Sequence, residues 1–309
     1  MSGNVYLIQD TVHLKSDRAL FYKEKNIAFL YGKINIRNGK NQFIRSDRAI
    51  YKGHENKAEL YANVSIKDSV STTTGDKVFY FKDSKFTEIF GNGKVVETTN
   101  NIEILGDYIS SLDRKKVNVY GNAEFYQKTD SLELFADTLI LNRLTNISTA
   151  INSVRIFQKD IECTGDFALF NHTDSTLALR GNASVKFQSN EVLADSIFIV
   201  FKQKSVESLD AINNAITTQV YNKEESKVNR FEGRNIYITM KNKKMDKMRS
   251  VHNAISLFYF EDDKGINSIT ADSIHVFFKH NDVDHVKEYG GVDGTFYPPG
   301  YRGTIKNAQ

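Results

Sequence analysis

The chain has 309 residues, 41 basic and 38 acidic, for a formal net charge of +3. Its 21 Phe and 15 Tyr exclude disorder as the main state, and the single cysteine, Cys163, excludes a disulfide scaffold. No run of 18 apolar residues exists to form a membrane-spanning helix, and the near-even charge balance does not point to nucleic acid.

A short phrase recurs along the chain. It begins as Ser16-Asp17-Arg18-Ala19 and Ser46-Asp47-Arg48-Ala49. It continues through Gly75-Asp76, Gly106-Asp107, Ala136-Asp137, Gly165-Asp166 and Ala194-Asp195. Gly233-Arg234 follows, where the acid is lost, and Ala271-Asp272 is the ninth copy. The spacings are 30, 29, 31, 30, 29, 29, 39 and 38 residues. The residue before the acid is always Gly, Ala or Ser, and the residue two after it is always apolar. Four after it only Ser111 is neither apolar nor aromatic, and three before it only Thr73 is polar.

Apolar residues at +2 and +4 are the period-two signature of a strand with one buried face. Position −3 has the opposite parity, so a straight strand cannot bury both sets. A corner or bulge at the small residue can, and each copy is therefore predicted to contain a strand that turns a corner. Between these phrases lies a second one: Tyr31-Gly32-Lys33-Ile34, Tyr61-Ala62-Asn63-Val64, Phe90-Gly91-Asn92, Tyr120-Gly121-Asn122-Ala123, Arg180-Gly181-Asn182-Ala183 and Tyr289-Gly290-Gly291-Val292. Gly-Asn favours positive φ, and alternating apolar residues follow it. Each copy thus offers two strands, about 18 in all, with little helix. The longer last copies predict longer hairpins near 202–214 and 241–253. The two prolines, Pro298 and Pro299, read as an exit from the repeat. The expected organisation is one domain over 1–297 and a tail over 298–309. The opening Met1-Ser2-Gly3-Asn4-Val5 has no basic or apolar leader region, so the chain reads as cytoplasmic, or as a mature or trimmed form.

The stretch from Gly3-Asn4-Val5 to Ser16-Asp17-Arg18-Ala19 resembles the OstA-like family, the periplasmic bridge proteins of lipopolysaccharide transport. So do the recurring Gly-Asn-Ala/Val and the run Met245-Asp246-Lys247-Met248 leading to Asn253-Ala254. The resemblance covers about residues 3–297. It implies an elongated, repeat-built antiparallel β-jellyroll, open like a folded taco, in the periplasm and in association with the outer membrane. It implies a non-catalytic protein that holds lipopolysaccharide acyl chains, those of lipid A, in an apolar trough. The partners it implies are other transport components, or a second copy joined by end-to-end strand pairing. No cofactor is expected.

The candidate lining is the +2 and +4 columns with the residues after Gly-Asn: Ala19, Phe21, Ile34, Ile36, Ala49, Tyr51, Val64, Ile66, Val78, Tyr80, Ile109, Ala123, Phe125, Leu139, Leu141, Ala168, Phe170 and Ile197. The same pattern is met by a structural or adhesive β-solenoid with a closed core. A polysaccharide-processing enzyme is a third reading, resting on the recurring acid. An acid repeated eight times reads better as a corner residue bonding backbone N–H groups than as a local catalytic dyad. The segment His280-Asn281-Asp282-Val283-Asp284-His285 could ligate a metal but reads as a polar hairpin tip. Arg18, Arg48 and Lys77 form one column, and Lys241, Lys243, Lys244, Lys247 and Arg249 a basic run; each reads as a solvated face or a contact to lipid phosphates. Cys163 falls in the −3 column and reads as a small buried hydrophobe.

Overall fold

The computed structural model describes residues 2–222, 227–260, 264–279, 282–301 and 303–306. Among the described residues there are twenty strands and two single 3₁₀ turns. The chain divides into two compact units, 1–152 and 153–309.

Unit 1 is a meander of β1 (Ser2–Gln9), β2 (Val12–Tyr22), β3 (Ile27–Asn38), β4 (Gln42–Lys52), β5 (Lys57–Lys67), β6 (Ser71–Phe81), β7 (Phe86–Glu97), β8 (Ile102–Leu112), β9 (Lys116–Gln127) and β10 (Leu132–Asn142). Each strand pairs antiparallel with the next. β11 (Ile147–Gln158) spans the division between the units. Unit 2 continues the pattern with β12 (Ile161–Asn171), β13 (Thr176–Phe187), β14 (Asn190–Lys202), β15 (Ser205–Asn222), β16 (Lys227–Lys241), β17 (Lys244–Tyr259) and β18 (Ile266–Lys279). β18 then pairs with both β19 (Asp282–Tyr289) and β20 (Asp293–Tyr297). The last strand ends at Tyr297, directly before Pro298-Pro299.

The predicted corner is present. The β4–β5 ladder shifts between Arg45 and Arg48, β6–β7 between Thr74 and Lys77, and β13–β14 between Arg180 and Ala183. The return strands bend through two consecutive left-handed residues: Gly91 and Asn92 at φ 67° and 48°, Gly121 and Asn122 at 72° and 46°, Gly181 and Asn182 at 73° and 48°. Gly and Asn are the residues that reach this region at least cost, so the Gly-Asn phrase is the corner itself. The column acid secures it by accepting a hydrogen bond from the corner Asn amide. The pairs are Asn63 with Asp47 (2.6 Å), Asn92 with Asp76 (3.0 Å), Asn122 with Asp107 (2.9 Å) and Asn182 with Asp166 (3.5 Å). The acid is a corner residue, as expected, but its partner in these bonds is a side-chain amide on the next strand rather than a backbone N–H.

The bend puts both parities on one inner surface. The +2 row runs Ala49, Leu60, Val78, Ile89, Ile109, Val119 and Leu139 across successive unit 1 strands. All seven are buried. Beyond the corner, the −3 residues alternate with those after Gly-Asn: Leu14, Ile36, Ile44, Ile66, Thr73, Val95, Ile104, Phe125 and Leu134. In unit 2 this second row is Cys163, Val185, Val192, Thr217, Phe231, Ser256 and Ile269, all buried. The extra residues of the late copies lengthen strands. β15 has 18 residues and β17 has 16, while the turns at Gln203-Lys204 and Asn242-Lys243 stay two residues long with both φ positive.

The outer face of unit 1 is held by charge and rings. Arg48 lies 5.1 Å from the Tyr61 ring centre and Lys77 5.2 Å from that of Phe90. Glu59 is buried between Lys52 and Lys57, at 2.9 Å from each, and accepts from the Tyr61 hydroxyl at 2.8 Å. Burial works to raise its pKa, but hydrogen bonds from the two lysines and Tyr61 outweigh it and bring the carboxyl down to about 2.

Two outcomes test this architecture. A Cβ on Gly106 would overlap Cγ1 of Val119 on the inside of the bend. Gly106→Ala is expected to destabilise the fold by about 1–3 kcal/mol in urea unfolding, through overpacking alone. Because the Glu59 pKa is depressed on folding, its contribution is complete above about 4.5 and is lost as pH falls through about 2. Glu59→Gln is therefore expected to cost up to about 3 kcal/mol at neutral pH. Its stability curve should converge on that of the parent protein between those two pH values.

Candidate functional site

The inner rows differ between the units, above all in the +4 column. In unit 1 the cross-strand order there is Phe21, Ala28, Tyr51, Ala58, Tyr80, Thr87 and Ser111. Over β2–β7 large rings alternate with small side chains, because +4 is aromatic on the outgoing strands and small on the returning ones; beyond Ser111 the row continues to buried Val117 and Leu141. Phe21 is 64% exposed, Tyr51 41% and Tyr80 37%. They share the parity of buried Ala49 and Val78, so they continue the inner surface outward to an open rim. In unit 2 the same row is Phe170, Leu177, Ile199, Leu209, Ile238, Met248 and Val276. There all but the half-buried Phe170 are buried, so the row is filled from within.

The candidate residues therefore fall into three groups. Ala49, Val78, Ile109, Leu139, Leu141, Ala168 and Ile197 are buried, as are Ile34, Val64 and Ala123 just past the corners. Ala19, Ile36, Ile66, Phe125 and Phe170 are half-buried. Phe21, Tyr51 and Tyr80 form the exposed rim. Unit 1 brings the first and third groups together on one surface; Ala168, Phe170 and Ile197 belong to unit 2.

Several inner residues were not among the candidates. Leu30, Leu60, Ile89 and Val119 complete the +2 row from the return strands. Their signal was their place just before the Tyr/Phe-Gly phrase. Polar residues also face inward in unit 2: Asn190, Thr217, Gln219, Asn229 and Ser256 are buried. Asn229 donates to Gln219 at 3.3 Å and accepts from the Tyr259 backbone N–H at 2.9 Å. No sequence pattern marks Thr217 and Ser256, whose column is apolar in the earlier copies. Cys163 is buried, and burial pushes its thiol up to about 12.

Of the six residues from His280 to His285, His280 and Asn281 lie outside the described residues. Nδ1 of His285 lies 2.7 Å from the Asp284 carboxylate, and its ring stacks on Phe277 at 4.4 Å. Among the described residues no three His, Cys, Asp or Glu side chains converge on a metal-sized site. The basic run lies along the β16–β17 hairpin, with Arg249 4.9 Å from the Tyr237 ring centre.

No curated protein matches the chain. Among solved structures, it is similar to the crystal structure of LptH, the LptA-homologous periplasmic component of the conserved lipopolysaccharide transport device of Pseudomonas aeruginosa. Identity is 11%, with 57% of this chain and 94% of that chain covered, at a TM-score of 0.25. The family model described as OstA-like protein matches residues 1–118. That segment holds the first four copies of the repeat and the open aromatic rim, and over it the chain is similar to the OstA-like proteins.

Proposed function

We propose that the protein is a non-catalytic carrier that holds the acyl chains of lipopolysaccharide along the inner surface of unit 1 and relays the lipid across the periplasm toward the outer membrane. The observation that carries this reading is the alternation of exposed rings with small side chains at +4. Ala28 and Ala58 lie between Phe21, Tyr51 and Tyr80, with Thr87 beyond Tyr80, and these small side chains leave room for linear chains beside the rings. An acyl chain of about a dozen methylenes gains on the order of 10 kcal/mol when fully buried, before its ordering cost, so no polar anchor is needed for binding. The inner rows beneath the rim, from Ala19, Ile34 and Ile36 to Leu139, form the floor against which the chains rest. The OstA-like match over the same residues supports the choice of lipid and compartment.

The route for handing lipid onward is strand pairing at the edge. β1 pairs with β2 and with no other strand among the described residues, and it exposes Tyr6, Leu7 and Ile8. An unpaired strand edge of this kind accepts a strand from a neighbouring transport component or from a second copy. Catalysis is disfavoured by the acid column: five of its carboxylates are engaged with corner amides among the described residues.

Unit 2 taken by itself favours the structural reading, a β-solenoid with a filled core, because its +4 row is closed by Ile199, Leu209, Ile238 and Val276. Titration of the delipidated full chain with lipopolysaccharide and with a fluorescent fatty acid separates the two. Saturable binding is expected, weakened about threefold to tenfold by Tyr51→Ser or Tyr80→Ser with no loss of thermal stability, since both rings are solvent-exposed. Binding that is absent, or indifferent to both substitutions, rejects the carrier reading.

A further inference from the structure

One copy breaks the corner pattern. At Gly233-Arg234 a cation stands where the other eight copies have Asp. Its neighbour on the return strand is the left-handed pair His252 and Asn253, at φ 63° and 57°. In the preceding corner the rule holds: Asn214 donates to both carboxylate oxygens of Asp195, at 3.1 and 3.0 Å. At Asn253 the acid that would accept from its amide is missing from the chain. A cavity of about 580 Å³ opens at this place, lined by Asp195, Asn213, Asn214, Glu232, Arg234, His252 and Asn253 among others.

We infer that this cavity binds a carboxylate-bearing sugar, whose carboxylate takes the place of the missing column acid. The corner is built to present an Asn amide to a carboxylate, as five other copies do among the described residues. Here the chain supplies a guanidinium in place of the acid, so donors converge from both strands. Arg234 has one long hydrogen bond, from Nε to the Asn213 side-chain oxygen at 3.5 Å, and its other donors suit the fork geometry a carboxylate accepts. The two acids on the rim are already engaged, Asp195 with Asn214 and Glu232 with Arg230 at 2.7 Å.

Those same acids select the charge of the guest. Asp195 and Glu232 repel a doubly charged phosphate or a polyanion more strongly than a single carboxylate, whose one charge Arg234 can match. Beside the apolar Ala215, Ile216 and Ile255, the lining offers acceptors and donors: three Asn amides and the spare lone pairs of the two carboxylates. Sugar hydroxyls use both. The volume exceeds what a bare carboxylate fills. The site lies on the corner row of unit 2 and does not depend on the acyl-chain reading of unit 1.

The test is a saturation-transfer NMR titration of the full chain with galacturonate, with galactose, inorganic phosphate and a glutamate-rich peptide as separate arms. Galacturonate is expected to bind, with galactose and phosphate at least about tenfold weaker. Arg234→Asp restores the residue found in the other copies, so it is expected to fold, to lose galacturonate binding at least tenfold, and to raise the melting temperature by about 2–4 °C by giving Asn253 its acid. Arg234→Lys keeps the charge without the fork and should weaken binding without abolishing it. Absence of galacturonate binding, equal binding of galactose, preference for phosphate or for the peptide, or binding that survives Arg234→Asp would each overturn the proposal.

Discussion

A strand in this fold must turn a corner halfway along without leaving its ladder. Both neighbours must turn at the same level, or the hydrogen bonds on either side fall out of step. The solution is local and chemical. The outgoing strand places a small residue and an acid at the bend, and the returning strand answers with two left-handed residues. For a side chain other than Gly, that conformation costs about 1–2 kcal/mol. The Asp–Asn hydrogen bond helps offset this where Asn occupies the second place, and a glycine in the first avoids it. The collision a Cβ on Gly91 would make with the Asp76 carboxylate shows how closely the two sides fit. Every other feature, including which side chains face inward, follows from the bend.

With the corner in place, the same template gives two different interiors. Unit 1 carries Phe and Tyr at +4 on its early strands, opposite Ala and Thr, and these rings stay at the solvent boundary. Unit 2 carries Ile, Leu, Met and Val there, on strands lengthened to as many as 18 residues, and buries them. Aliphatics of similar size on successive strands interlock into a continuous layer. Rings alternating with methyl groups cannot, and leave recesses between them. An open rim and a filled core are thus alternative uses of one repeat.

A repeated environment also makes an exception legible. In a single-copy protein, an arginine beside a histidine and several asparagines would be an ordinary polar surface. Here the other copies state what belongs at that position, and the departure at Arg234 coincides with a cavity on the corner row. Thr73 and Ser111 also depart from their columns, but Arg234 removes one half of a cross-strand Asp–Asn pair.

The thirty-residue module, its strands, the corner and the two apolar columns were all determined by the sequence. Each rests on an interaction between residues a few positions apart: strand parity, the left-handed preference of Gly and Asn, and a small residue beside an acid. The inner location of Ala49, Val78, Ile109 and Ile104 follows from that local pattern. The exposure of Phe21, Tyr51 and Tyr80 does not, because it depends on what the neighbouring strands place beside the rings. The burial of Thr217 and Ser256 does not either, since those polar residues sit inward only because their column does. Nor was the bond from Asn63 to Asp47 readable, sixteen residues apart on facing strands. Cross-strand neighbours, and the cavity at Arg234, were decided by the tertiary structure alone, because register and packing bring together groups that the linear order keeps apart.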